Sequence, residues 1–153
     1  MQLTQYTDYS IRTLLYAAAY ADRLVNISEI ADYYSISRTH LAKVVAGLTQ
    51  AGYLQGIRGK NGGLRLSKAP QHINLGELIE KLEPLEIVEC FGNKNTCAIT
   101  VSCQLKHVLH EAKVAFITTL KGYTLADIQL PTPLPVGVEH PLTFYSTKLN
   151  QAL

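Results

Sequence analysis

The sequence predicts a mainly α-helical protein with one small β-hairpin, and three observations point there. Apolar residues recur at the three- and four-residue spacing of an amphipathic helix in several separate stretches. Residues that cap helices stand at the heads of those stretches, at Asn26, Ser37 and Asn74. Between two of them a glycine-rich segment, Gly59-Lys60-Asn61-Gly62-Gly63, separates two runs of strand length. At 153 residues the chain can bury a real core, and it suits one ordinary domain or a small domain with a dimerisation appendage.

The first helix is expected from about Thr7 to Ala21, with Ile11, Leu14, Leu15 and Ala18 on its buried stripe. A shorter second helix follows from Asn26 or Ser28 to near Ser35, with Asn26 and Glu29 at capping-box spacing. Ser37 caps the third, Ile36 and Leu41 are placed as its hydrophobic staple, and Leu41, Val44, Val45 and Leu48 form its stripe up to Gly52. Residues 53 to 58 and 64 to 67 then read as two strands about the glycine-rich turn. A fourth helix opens at Asn74, stapled by Ile73 to Leu78, and ends before Pro84.

Two helices joined by a short turn, followed by a hairpin, form a winged helix-turn-helix, whose second helix enters the DNA major groove with its first residues on the bases. Ser37, Arg38, Thr39 and His40 occupy that position. Arg58, Lys60 and Arg65 are expected around the wing tip, where long cations can follow phosphates or enter a narrow minor groove. Charge agrees: residues 1 to 70 carry eight Lys and Arg against four Asp and Glu, whereas residues 71 to 130 carry five against seven. Double-stranded DNA is therefore the expected partner of the first half. Glu77, Glu80, Glu83, Glu86 and Glu89 read as a solvated acidic face, and no catalytic constellation is visible, so an enzyme is not expected.

All three cysteines, Cys90, Cys97 and Cys103, fall in one short segment, with gaps of six and five residues. An odd number so close together argues for reduced thiolates over a disulfide framework. Soft thiolates select zinc, copper(I) or an iron-sulfur cluster, and three of them need a fourth ligand; His107, Asp8 and a bound thiol are candidates. Cysteine pairs two to four residues apart, the usual zinc-ribbon pattern, are missing. A zinc-stabilised adaptor or an iron-sulfur carrier that binds proteins stays open as a reading from another class.

From Gln104, the residues Leu105, Val108, Leu109, Ala112, Phe116 and Leu120 trace a stripe along a helix of about five turns ending at Gly122. Because operators are usually read by symmetric dimers, this is expected to be a homodimerisation helix. The organisation expected is a winged unit over residues 1 to 83, a cysteine loop over 84 to 104, the dimerisation helix and following segment over 105 to 130, and a proline-containing tail over 131 to 153. The first residues lack the pattern of a secretory signal, and no apolar run nears the roughly 18 residues of a membrane span, so a cytoplasmic protein without membrane contact is expected.

Several segments together carry a family resemblance: Met1-Gln2-Leu3-Thr4 with Tyr6-Thr7-Asp8-Tyr9, Ser37-Arg38-Thr39-His40, Ala51-Gly52-Tyr53, Arg58-Gly59-Lys60-Asn61-Gly62-Gly63, Leu82-Glu83-Pro84-Leu85, the three cysteines, and Tyr123-Thr124-Leu125-Ala126-Asp127. Over roughly residues 1 to 130 the chain resembles the Rrf-type family of bacterial winged-helix iron-sulfur transcriptional regulators, and most of all its nitric-oxide-sensing repressors. The resemblance implies a homodimer in which Cys90, Cys97 and Cys103 bind a cluster, [4Fe-4S] in the nitric-oxide sensors, with Asp8 of the partner subunit as fourth ligand. Nitrosylation of the cluster would release such a repressor from promoters of nitric-oxide detoxification genes. The rival within the family, regulators of iron-sulfur assembly, uses a [2Fe-2S] cluster and a histidine three positions after the third cysteine. Here that position is Lys106, and His107 lies one residue later, which makes it the lesser candidate. The first cysteine gap is also longer than the family's pattern.

Overall fold

The computed structural model describes residues 2–132; most of the expected tail, residues 133–153, lies outside the described residues. Among the described residues, five helices and one hairpin follow in the predicted order: α1 (Gln5–Ala19), α2 (Ile27–Tyr34), α3 (Arg38–Gln50), β1 (Leu54–Ile57), β2 (Gly63–Leu66), α4 (Leu75–Leu82) and α5 (Gln104–Lys121). Short 3-10 turns lie at Pro70–His72, Glu89–Phe91 and Leu125–Ile128.

The caps explain where the helices start. Asn26 accepts from the Glu29 amide at 2.9 Å while the Glu29 carboxylate accepts from the Asn26 amide at 2.7 Å, a complete capping box. Ser37 accepts from the His40 amide at 3.2 Å and Asn74 from the Glu77 amide at 3.1 Å, each satisfying an N–H that has no partner within its helix. The first helix departs from expectation. It starts two residues early because Thr4 is its cap, accepting from the Thr7 amide at 3.3 Å, and it stops at Ala19 instead of Ala21.

One core sits beneath the helix-turn-helix and gathers Leu14, Ile30, Leu41, Leu48, Leu54, Ile73, Leu78 and Leu125, none more than 2% exposed. Burying each such side chain contributes about 1.5–3 kcal/mol. Every residue expected on the α3 stripe, Leu41, Val44, Val45 and Leu48, is buried. The buried face of α1 departs from the expected apolar stripe: Leu14 and Ala18 are buried, but Ile11 and Leu15 are only half-buried. Thr7, Ser10 and Thr13 are fully buried on it, and Ser10 and Thr13 donate to the Tyr6 and Tyr9 carbonyls at 2.7 and 2.6 Å, so these hydroxyls enter the core without an unmet hydrogen bond.

The hairpin pairs Leu54 with Leu66, Gln55 with Arg65, Gly56 with Leu64 and Ile57 with Gly63. On its turn side, β2 is pinned to the α1–α2 connection by reciprocal backbone bonds between Val25 and Leu64 at 3.0 and 2.7 Å. Gly63 permits that approach, since a Cβ there would sit 2.7 Å from the Val25 carbonyl oxygen. After α5 the chain returns to the core: Leu75 donates to the Tyr123 carbonyl at 3.0 Å, Leu125 donates to the Ile73 carbonyl at 2.8 Å, and the Leu125 side chain is fully buried.

Candidate functional site

The exposed start of α3 presents the residues expected to face DNA. Ser37, Arg38, Thr39 and His40 are all solvent-exposed, over a buried stripe that fixes the helix from behind. Arg38 lies 3.5 Å from Asp32, and both side chains are at least 65% exposed, so the ion pair holds the guanidinium only weakly. One turn beyond the first residues, Lys43 joins His40 in a shallow groove against Gln5, Tyr6 and Tyr9 of α1. Lys43 went unremarked in the sequence, although its three-residue spacing from His40 places both on one helix face.

At the wing, Arg58 and Lys60 lie in the exposed turn between the strands. Gly59 has φ +118°, and a Cβ on Gly62 would come within 2.2 Å of the Ile57 carbonyl oxygen, so this tight turn requires glycine. Arg65 does not share the tip. It stands on β2 opposite Gln55, near the hairpin base, and donates to the Gln55 amide oxygen at 3.0 Å. The strand register, beyond reach of a composition argument, separates it from Arg58 and Lys60.

The cysteine segment begins where α4 ends. Cys90, Cys97 and Cys103 carry no disulfide; Cys97 is exposed, the other two half-buried, and Cys103 is the residue that precedes the first turn of α5. Among the described residues no three His, Cys, Asp or Glu side chains are gathered closely enough to hold a metal ion. The donor set nevertheless fits a thiophilic metal or cluster: three reduced thiols within one accessible segment. His107 is exposed in the first part of α5. Asp8, in the first turn of α1, makes a two-point ion pair with Arg12 at 2.9 and 3.0 Å, both side chains more than two-fifths exposed. Such a pair contributes about 0–1 kcal/mol, so it orients the carboxylate without locking it away.

The acidic run is not uniformly a solvated face. Glu83 is half-buried and accepts from the Thr4 amide and hydroxyl at 2.6 and 2.9 Å, tying the start of α1 to the end of α4. Burial pushes the pKa of Glu83 up, but hydrogen bonds donated by Thr7 and Thr4 outweigh it and hold the carboxyl below its ordinary range. Glu89 accepts from the Thr96 amide and hydroxyl at 2.5 and 2.7 Å inside the cysteine segment. Glu80 pairs with Lys121 at 2.8 Å. These partners are up to 79 residues away in sequence, so the spacing of the glutamates carried no sign of them.

Among the described residues the stripe along α5 is only partly covered: Leu109, Phe116 and Leu120 are half-buried. Leu105 and Val108 are 62% and 59% exposed, Val114 is 49% exposed, and only Ile117 of this helix is buried. No helix among the described residues is long and apolar enough to cross a membrane.

Residues 3–130 match the family described as Rrf2, an iron-dependent transcriptional regulator. The chain belongs to the Rrf2 family. It is 52% identical over 131 residues to the HTH-type transcriptional regulator NsrR of Bacillus licheniformis, an alignment covering 84% of this chain and 92% of that protein. It is 51% identical to the NsrR of Bacillus subtilis, covering 84% of this chain and 90% of the relative. Its fold is that of the solved T. potens IscR, with a TM-score of 0.66, 24% identity and coverage of 83% and 85% of the two chains. The global cysteine regulator CymR of B. subtilis superposes equally well, with a TM-score of 0.66, 22% identity and coverage of 83% and 95%. This Rrf2 protein is thus a winged-helix transcriptional regulator related to NsrR, not an enzyme, and DNA binding follows from that assignment. The reading as a protein-binding adaptor is set aside by it.

Proposed function

We propose that this Rrf2 protein is a cytoplasmic, homodimeric repressor that senses nitric oxide through a [4Fe-4S] cluster and leaves the promoters of nitric-oxide detoxification genes when the cluster is nitrosylated. The observation that carries the reading is the position of the three free thiols: they occupy the segment that joins the DNA-reading unit to α5, and Cys103 immediately precedes the first turn of that helix. Cys90, Cys97 and Cys103 would hold the cluster, with Asp8 of the partner subunit as fourth ligand. A cluster bound there would supply thiolate-held iron with which nitric oxide can react.

The chain's own residues account for the rest. Exposed Ser37, Arg38, Thr39 and His40 read bases while Arg58, Lys60 and Arg65 follow the phosphate backbone or the minor groove. The apolar stripe of α5, exposed at Leu105 and Val108 among the described residues, is covered by the same stripe of a second copy, which sets the distance between recognition helices. Asp8 gives up an exposed ion pair of small energy with Arg12 to reach across, and the Glu83 bonds to Thr4 link the helix bearing Asp8 to the chain entering the cysteine segment. A differential free energy of a few kcal/mol between the two arrangements is enough to move an operator from mostly bound to mostly free.

Comparing anaerobic wild-type protein with Asp8→Ala and His107→Ala tests the ligand set. Asp8→Ala is expected to weaken operator binding and its response to nitric oxide, with His107→Ala resembling wild type. An Asp8→Ala variant that releases DNA with nitric oxide as wild type does contradicts this assignment; loss of the response in His107→Ala alone favours a [2Fe-2S] regulator.

A further inference from the structure

Cys90 and Cys97 are separated by six residues, and the residues immediately before them, Glu89 and Thr96, are bonded to each other. One Glu89 carboxylate oxygen accepts both the Thr96 amide at 2.5 Å and the Thr96 hydroxyl at 2.7 Å. The far side of the closure is fixed as well. Asn95 accepts from the Cys97 amide at 3.0 Å and donates to the Thr100 hydroxyl at 2.9 Å, while that hydroxyl donates to the Cys97 carbonyl at 2.7 Å. Next to Cys90, the Phe91 ring lies 6.3 Å from the His110 ring and 5.8 Å from the Lys113 ammonium, so this end rests on α5.

We propose that Glu89 is a positioning residue that closes the Cys90–Cys97 segment before any metal arrives, presenting those two thiols side by side while α5 fixes Cys103. The inference rests on the cluster reading above. An open segment between two ligands loses conformational freedom when a metal draws its ends together, and that cost is met beforehand if hydrogen bonds already join the ends. A carboxylate accepting two donors on one oxygen suits this task, because hydrogen bonds to an ionised acceptor are the stronger kind. Glu89 touches no metal in this role. It acts through the backbone of Cys90 and Cys97.

The test uses the full chain, metal-free and reduced, with Cys103→Ser as background so that only one disulfide can form within a chain, cross-linked dimers being separated on a non-reducing gel. Diamide oxidation to the Cys90–Cys97 disulfide, followed by peptide mass mapping, reports how often the two thiols meet. Glu89→Ala is expected to slow it about fivefold, the factor that one net hydrogen-bond contribution represents. Glu89→Gln, whose amide oxygen still accepts, should recover much of the rate, and Thr96→Val should slow it as well. With Cys103 restored, reconstituted Glu89→Ala protein should lose iron to a chelator several-fold faster than wild type. An unchanged disulfide rate in Glu89→Ala overturns the proposal, as does a slowed disulfide with unchanged iron loss. If the chain takes up no iron, the cluster reading fails while the disulfide rate still decides whether Glu89 closes the segment.

Discussion

Gly76→Ala tests how tightly α5 is seated on the DNA-reading unit. Gly76 is buried in the first turn of α4, and a Cβ there would lie 2.7 Å from the Lys121 amide nitrogen, 3.0 Å from its Cα and 2.4 Å from its Cγ. The side-chain carbon can swing away, but the backbone of Lys121 is held. Its carbonyl accepts from the Asn74 amide group at 2.7 Å, and two residues later the Tyr123 carbonyl accepts from Leu75 at 3.0 Å. Overfilling a packed contact costs about 1–3 kcal/mol, and the backbone clash argues for the upper half of that range. Alanine returns about 1 kcal/mol through helix propensity. The net expectation is a loss of about 1–2 kcal/mol, which lowers Tm by about 2–8 °C for a chain of this size. Thermal and urea unfolding of the metal-free protein measure it directly. A Gly76→Ala variant as stable as wild type, or more so, would refute the close α4–α5 contact.

Removing the fully buried Leu41 side chain by Leu41→Ala should cost about 2–5 kcal/mol in urea unfolding, because α3 loses the residue that anchors its first turn. Arg58→Ala and Lys60→Ala should each weaken operator binding at low salt and reduce the slope of log affinity against log salt by about one, with folding unchanged; slopes equal to wild type would remove the wing from the interface. The hydrogen bonds that Glu83 accepts hold its carboxyl below its ordinary value of 4.5 in the folded protein, so its contribution is present above that value and fades as pH falls through the lower folded value. Stability should therefore drop on acidification below about 4.5, and Glu83→Gln should flatten that drop in unfolding curves taken across the range.

Much of this architecture was legible because local chemistry and packing agree. Ser37 caps α3 and Leu41, Val44, Val45 and Leu48 bury its stripe, just as the periodicity demands, and the Asn26–Glu29 capping box forms in full. What escaped the sequence depends on contacts distant along the chain or on polar groups satisfied internally. Thr7, Ser10 and Thr13 look like a solvent face until their hydroxyls are seen bonding within α1 or lying against the core. Leu125 lies after the long helix yet completes the core through pairing between Ile73 and Leu125. In the candidate site, the glycines of the wing turn declared themselves, but the register that moves Arg65 away from the tip did not. Half-buried Glu83 was indistinguishable from its exposed neighbours, and nothing in a run of evenly spaced glutamates names the threonines that Glu83 and exposed Glu89 accept from.

Anaerobic purification with iron and zinc counts, absorption and electron paramagnetic resonance spectra, and operator binding before and after nitric oxide tests the central claim most directly. The account predicts about four irons per chain, no zinc, tight operator binding and its loss on nitrosylation. One zinc without iron, or operator binding indifferent to nitric oxide, would contradict the sensor mechanism while leaving the winged-helix regulator in place.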